Sequence, residues 1–297
     1  MELLCIFAAL AVLFLFCAFL TLKCNLHAAL APLSALGIVV AWLTAAGMAN
    51  LLLPGTVLLW AVFAGSGMWA LVPHKGQRPA CRRLVTPGAV LFWGMALAFA
   101  VYFFIRQPLA TKYDELSLWA TAVKVTKADN RLYALATLGT PWPQTQNPGL
   151  PLLSYFFQFL GHYADWKIYV AYDVLAAAVF AAVLGGLNFR QYRIAVPLAA
   201  ICWFAPWFLT VYNHTIYLDT TYMTAYGDVP AGLALGGAVA LWLALRFLLP
   251  WLAPFLVALG AAALIEPAVP SGPYCRYWRW RPTSRPTPLC CPWWRRG

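Results

Sequence analysis

The sequence predicts an all-α, polytopic integral membrane protein. It has about seven to eight transmembrane helices and an extracytoplasmic loop that carries amphipathic or re-entrant helices. Three observations predict it. Of 297 residues, 63% are hydrophobic and 10% charged, and mean hydropathy is +0.72, which excludes an ordinary soluble domain. Apolar runs recur at close to the roughly 20 residues a helix needs to cross a bilayer. These runs do not alternate, so they do not fit β-barrel strands. Helices, which satisfy their own backbone hydrogen bonds, are the expected spanning element.

The runs follow in order. Residues 3–22 exceed the apolar core of a typical signal peptide and no small-residue cleavage site follows, so they read as a retained helix. Residues 32–53 and 55–72 read as a second and third span, parted by a tight Pro54-Gly55 turn. A loop with Lys75, Arg78, Arg82 and Arg83 follows and marks the cytoplasmic side. Residues 87–105 then exit, and 106–149 form a large extracytoplasmic loop. A fifth span near 168–187 returns to the basic stretch Arg190 to Arg193. Residues 194–211 and 229–249 are the sixth and seventh, joined by an external loop from Tyr212 to Asp228 without Lys or Arg.

Residues 1–266 thus form one polytopic domain. Residues 252–265 begin an eighth span that stops short. The last 31 residues hold seven Pro, six Arg, four Trp and three Cys, with no Asp, Glu or Lys. That tail, 267–297, reads either as a basic segment for anionic headgroups or, preferably, as sequence out of frame, because it interrupts a helix.

The net charge of +11 is not a nucleic-acid signal, because the basic residues flank apolar runs and fill the tail. No nucleic-acid partner is expected; the lipid bilayer is. The eight cysteines form no Cys-x-x-Cys pair and no cluster with metal-ligand spacing.

The chemistry concentrates in Lys112-Tyr113-Asp114-Glu115-Leu116-Ser117-Leu118-Trp119, which holds two of nine acids side by side at a helix mouth. Capping of a helix start explains such a pair; so does an active site at the membrane surface. From Asp114, the apolar positions Leu116, Trp119, Ala120 and Val123 recur at helical spacing, predicting an amphipathic helix of about three turns anchored by Trp119. Thr140 to Gly149 is rich in Pro, and residues 150–160 are apolar but too short to span, which fits a re-entrant or interfacial helix ending at Gly161.

Tyr113 to Ala120, then Lys124, then Asn147-Pro148-Gly149-Leu150-Pro151-Leu152-Leu153 resembles a recurring pattern in bacterial GT-C-type membrane glycosyltransferases. Those enzymes are similar to the protein O-mannosyltransferases and the lipid A and arabinan glycosyltransferases. The resemblance covers residues 113–160. It departs from the family in placing the acidic loop after the fourth helix instead of the first, and in lacking a C-terminal soluble domain. It implies a polyprenyl-phosphate sugar as donor and transfer to an acceptor hydroxyl on the extracytoplasmic face of the cell membrane. Asp114 is then the general base. Glu115 supports it, or the two bind a divalent cation. Lys112, Lys124 or Lys127 meets the lipid phosphate, and Trp119 and Asn147 are substrate contacts.

Other polar residues stand apart. His162, Asp165 and Lys167 read as a membrane-boundary cluster. Asp173 lies about two turns inside an apolar helix, where an ionisable group is costly and usually functional or paired. Asp219 and Asp228 sit among tyrosines, which suits sugar binding or an interfacial belt. A transporter or flippase using Asp173 and the loop acids, and a non-catalytic membrane scaffold, are the competing functions. A transporter should show matching halves, and no internal repeat is evident.

Overall fold

The computed structural model describes residues 1–72, 81–111, 115–135, 147–208, 210–212, 218–220 and 228–245. Lys112, Asp114, the Pro-rich stretch to Gln146, the incipient eighth span and the tail lie outside the described residues.

The protein is a helical, multi-pass membrane protein. Five helices are long and apolar enough to cross a bilayer: α1 (Glu2–Leu22), α2 (Ala31–Met48), α3 (Leu52–Leu71), α4 (Pro87–Arg106) and α7 (Trp166–Val183). Two shorter helices, α5 (Ala120–Asp129) and α6 (Gly149–Gln158), lie between α4 and α7. α8 (Tyr192–Phe208) and α9 (Asp228–Leu245) stand at the expected sixth and seventh spans, with β1 (Thr210–Tyr212) and β2 (Leu218–Thr220) between them. Those two strands pair antiparallel, a small exception to the all-α expectation.

Local chemistry sets the boundaries. Thr86 caps α4 by accepting from Ala89 N at 3.3 Å, and Pro87 follows at the first helical position, where its missing N–H costs nothing. Asn25, Asn50 and Asn130 adopt positive φ at breaks in the chain, a conformation asparagine tolerates. The α2–α3 turn differs from the Pro54-Gly55 expectation. Ala49 to Leu51 make it, and Pro54 falls within the first turn of α3, where proline fits. Trp42 Nε1 donates to Gly55 O at 2.8 Å across this hairpin.

α4 and α7 run antiparallel along their full length. At one end Phe103 lies 5.6 Å from the Tyr169 ring, and Phe104 packs on Trp166. At the other, Gly88 sits against Ala181, so closely that a Cβ would come within 2.6 Å of the Ala181 carbonyl. α7 is buried on almost every side, and its alanine-rich stretch permits this approach. α1 packs on α3 through the stacked Phe16 and Phe63 rings, 3.8 Å apart, and Gly67 lies directly on the Leu15 backbone.

α6 is the inserted element. All ten of its residues are buried. Trp60 of α3 covers Phe156 and Phe159, and Tyr155 donates to Asn130 Oδ1 at 2.7 Å. A ten-residue helix is about 15 Å long, half a bilayer core; it enters from one end and stops. That length agrees with the expectation that this stretch is too short to span.

These contacts sort the carboxylates, while basic residues stand at both ends. One end holds the start of α1, the end of α4, α5, α6 and the start of α7, and so carries Glu2, Glu115, Asp129 and Asp165. Arg106, Lys124, Lys127, Arg131 and Lys167 stand at the same end. The opposite end holds Lys23, Arg82, Arg83, Arg190 and Arg193, with no carboxylate among the described residues.

Candidate functional site

The site begins where α4 stops. Gln107 leaves the helix with φ of 43°, and the linker behind it is held at three consecutive residues. Tyr169 Oη donates to Leu109 O at 3.2 Å. Asp165 Oδ2 accepts from Ala110 N at 3.1 Å. Glu115 Oε2 accepts from Thr111 N at 3.1 Å. Two of these anchors come from the first turns of α7 and its N-terminal flank; the third reaches back from the next element. The linker leading into Lys112 and Asp114 is therefore fixed, although those two residues are outside the described set.

Glu115 is 2% exposed. Its Oε2 reaches backward to the Thr111 amide. The segment Glu115–Trp119 forms a π-helical turn before α5 begins. That corrects the expected amphipathic helix. Ala120 and Val123 face the core, joined by Ala122 and Thr126, but Leu116 is 50% exposed, because the wider π-turn rotates it off the stripe. Trp119 is half-buried and packs against the core, an anchoring position. Lys124 is exposed, its Nζ 6.0 Å from the Tyr163 ring. Asn147 Oδ1 accepts from Gly149 N at 3.0 Å and so shapes the entry to α6.

Of the candidate phosphate ligands, Lys124 and Lys127 are described, and Lys127 is the one of these two directed inward. Its Nζ donates to Phe159 O at 2.7 Å, between the Tyr155 and Phe159 rings. Burial, aided by the nearby Lys167 charge, holds its ammonium below the ordinary lysine range. Tyr163 donates to Ala120 O at 3.3 Å; burial, then Asp165 beside it, pushes its phenol well above the ordinary value.

Glu2 was not singled out by sequence reasoning. Its carboxylate is bonded to Lys167 Nζ and lies 3.1 Å from His162 Nδ1. Lys167 is fully buried and also donates to His162 O at 2.6 Å. Gly161 leaves the room for this pair: a Cβ there would lie 2.5 Å from Glu2 Oε2. The signal was present in the sequence, since Glu2 is the sole acid before Asp114.

Asp173 is 2% exposed and its Oδ2 has no hydrogen-bond partner. It lies eight residues past Asp165, about 12 Å deeper along α7. Asp219 pairs with Val211 in the strand ribbon, and Asp228 opens α9; their side chains are outside the described set.

The expected cation at Asp114 and Glu115 involves Asp114, which lies outside the described residues. Among the described residues no three His, Cys, Asp or Glu side chains group to hold a metal ion. Glu115 and Asp165 each spend an oxygen on a linker amide.

No known family, characterised protein or solved structure matches this chain.

Proposed function

We propose that the protein is a membrane glycosyltransferase that moves a sugar from a polyprenyl-phosphate donor to an acceptor hydroxyl. On this reading seven helices span the membrane, with α8 and α9 as the sixth and seventh. The carboxylate-bearing end is read as the extracytoplasmic side of the cell membrane: it also carries Arg106, Lys124, Lys127 and Arg131, but the opposite end groups Lys23, Arg82, Arg83, Arg190 and Arg193 with no carboxylate among the described residues.

The single observation that supports it is the linker after α4. Three side chains, one of them Glu115 itself, hold the consecutive backbone residues Leu109 to Thr111, two residues ahead of the Asp114-Glu115 pair. Such positioning suits a base that must meet a substrate emerging from the bilayer. Asp114 takes the acceptor hydroxyl proton as the oxygen bonds to the anomeric carbon. The bond between that carbon and the phosphate oxygen breaks, and the lipid phosphate leaves with its electron pair. Lys127 meets that charge in preference to the exposed Lys124; Lys112 is a further candidate. Glu115 holds the linker instead of reacting, and the chemistry is derived without a metal.

The test is transfer of radiolabelled sugar from polyprenyl phosphate in membranes containing the full chain. Asp114→Asn should lose about 10²- to 10⁴-fold in rate with expression unchanged. Full activity in that variant would sink the assignment.

A transporter is the second reading, favoured by the unpartnered Asp173 oxygen inside a span. Solute uptake by proteoliposomes that is abolished by Asp173→Asn, with no sugar transfer by the native chain, would favour it.

A further inference from the structure

At the arginine-bearing end, the starts of α4 and α8 enclose an apolar groove of about 190 Å³. Pro87 and Val90 form one wall; Tyr192, Ala195 and Ala199 form the other, with Phe189 at the rim. No charged side chain lines it. Phe189 and Tyr192 are 56% and 58% exposed, an aromatic pair at the level where such rings meet headgroups. Arg190 and Arg193 each directly follow one of these aromatics and are exposed. No carboxylate among the described residues lies at this end to neutralise them. Arg82 lies just ahead of α4, and Arg83 beside it is engaged with Asn25 Oδ1 at 3.1 Å.

We propose that this groove binds one anionic phospholipid from the leaflet facing this end. An acyl chain fills the slot between α4 and α8, and the phosphodiester meets Arg190 and Arg193. Three features combine. A guanidinium presents paired donors that match phosphate oxygens. Basic pockets between membrane helices on one face are suited to anionic headgroups. Small residues at Ala195 and Ala199 leave room for methylenes where a larger side chain would close the gap. A zwitterionic lipid offers the same chain and phosphate, but its own ammonium offsets the attraction. The inference is independent of the reaction at the opposite end.

The full chain would be purified from nanodiscs containing equal phosphatidylglycerol and phosphatidylcholine, and retained lipid counted by native mass spectrometry. Phosphatidylglycerol is expected in at least tenfold excess. Loss of each arginine should reduce that preference about fivefold, so R190Q/R193Q should bring the two lipids close to parity. A199F fills the groove without changing charge and should release the retained lipid, with circular dichroism confirming the helices. Equal retention of the two lipids by the native chain overturns the proposal. So does a preference that survives R190Q/R193Q, or retention unchanged in A199F. A loss in R82Q as large as in R190Q/R193Q also overturns it, by marking diffuse attraction instead of a seated lipid.

Discussion

Replacing Glu2 with glutamine is expected to lower the melting temperature of the purified chain by about 4–12 °C. The magnitude comes from the pair it breaks. Lys167 is wholly buried, and its ammonium has the Glu2 carboxylate and the His162 carbonyl as partners. Glutamine leaves the buried charge with neutral oxygens alone. Breaking a sealed pair in this way costs about 3–5 kcal/mol. Glu2 keeps 34% of its side chain exposed, so water enters and the cost falls to about 2–3 kcal/mol. In a chain of this size each kcal/mol moves the melting point about 2–4 °C.

The assay is thermal unfolding in detergent of the native chain, E2Q, K167M and the double variant. K167M removes the charge that needs a partner, so the double variant should recover most of the E2Q loss, within about 1 kcal/mol of native. Two results refute the reasoning. One is an E2Q variant that melts with the native chain. The other is a double variant whose loss equals the sum of the singles, which would mean that the two side chains are not energetically coupled.

Gly67→Ala should destabilise by about 1–3 kcal/mol, because its Cβ would lie 2.4 Å from the Leu15 backbone. Gly65→Ala, with open space around it, should be neutral or slightly stabilising in the same melts. His27 is half-buried and burial pulls its pKa below the ordinary 6.5, while its Nδ1 accepts from Ala29 N. Its neutral form is the one the fold favours. That stability is fully present above about pH 6.5 and is lost as pH falls through the lowered value; a melting-point series from pH 7 to 5 should be flatter in His27→Asn. Asp173→Leu should melt no lower than the native chain, since it removes a buried oxygen without a partner. A loss above about 2 kcal/mol would mean that Asp173 carries a stabilising bond.

Much of this architecture was legible from length and hydropathy. The five long helices, the short buried α6 and the large loop between α4 and α7 follow from where apolar runs start, stop and fall short. Thr86-Pro87 announces the start of α4 as a cap and first-turn pair. Periodicity failed at Leu116, because a π-turn changes the residues per turn and the sequence carries no mark of it. Pro54-Gly55 misled because proline is equally at home in a turn and in the first turn of a helix. The site was harder. Asp114-Glu115 stood out by rarity, but the partners Asp165, Tyr169 and Glu2 come from segments separated by 55, 60 and 165 residues in the bonds they make. Only packing brings such groups together. Rarity alone could have raised Glu2.

Buried polar atoms without a hydrogen-bond partner gather in three of the helices. Eight buried side-chain polar atoms among the described residues have no hydrogen-bond partner, and five belong to α5, α6 and α7: Thr126 Oγ1, Ser154 Oγ, Gln158 Nε2, Tyr172 Oη and Asp173 Oδ2. Ser154 Oγ and Tyr172 Oη lie close enough to each other to interact, so these two are the least isolated of the set. Each such atom costs free energy that a leucine or alanine would avoid. The same three helices hold the buried Lys167 and the inward Lys127, and the carboxylates that fix the linker, Glu115 and Asp165, stand directly before α5 and α7. α1 and α3, whose work is to pack against each other and lipid, contribute only Thr21 and Trp60 to that set. A bundle built for stability alone would spread polar groups at random or exclude them. They lie instead in the elements around the Asp-Glu segment, reaching about two turns into α7 at Tyr172 and Asp173. On the proposed reading, that concentration is what an enzyme or a transporter would use. The choice between those two rests on whether Asp114 or Asp173 is the carboxylate that the activity requires.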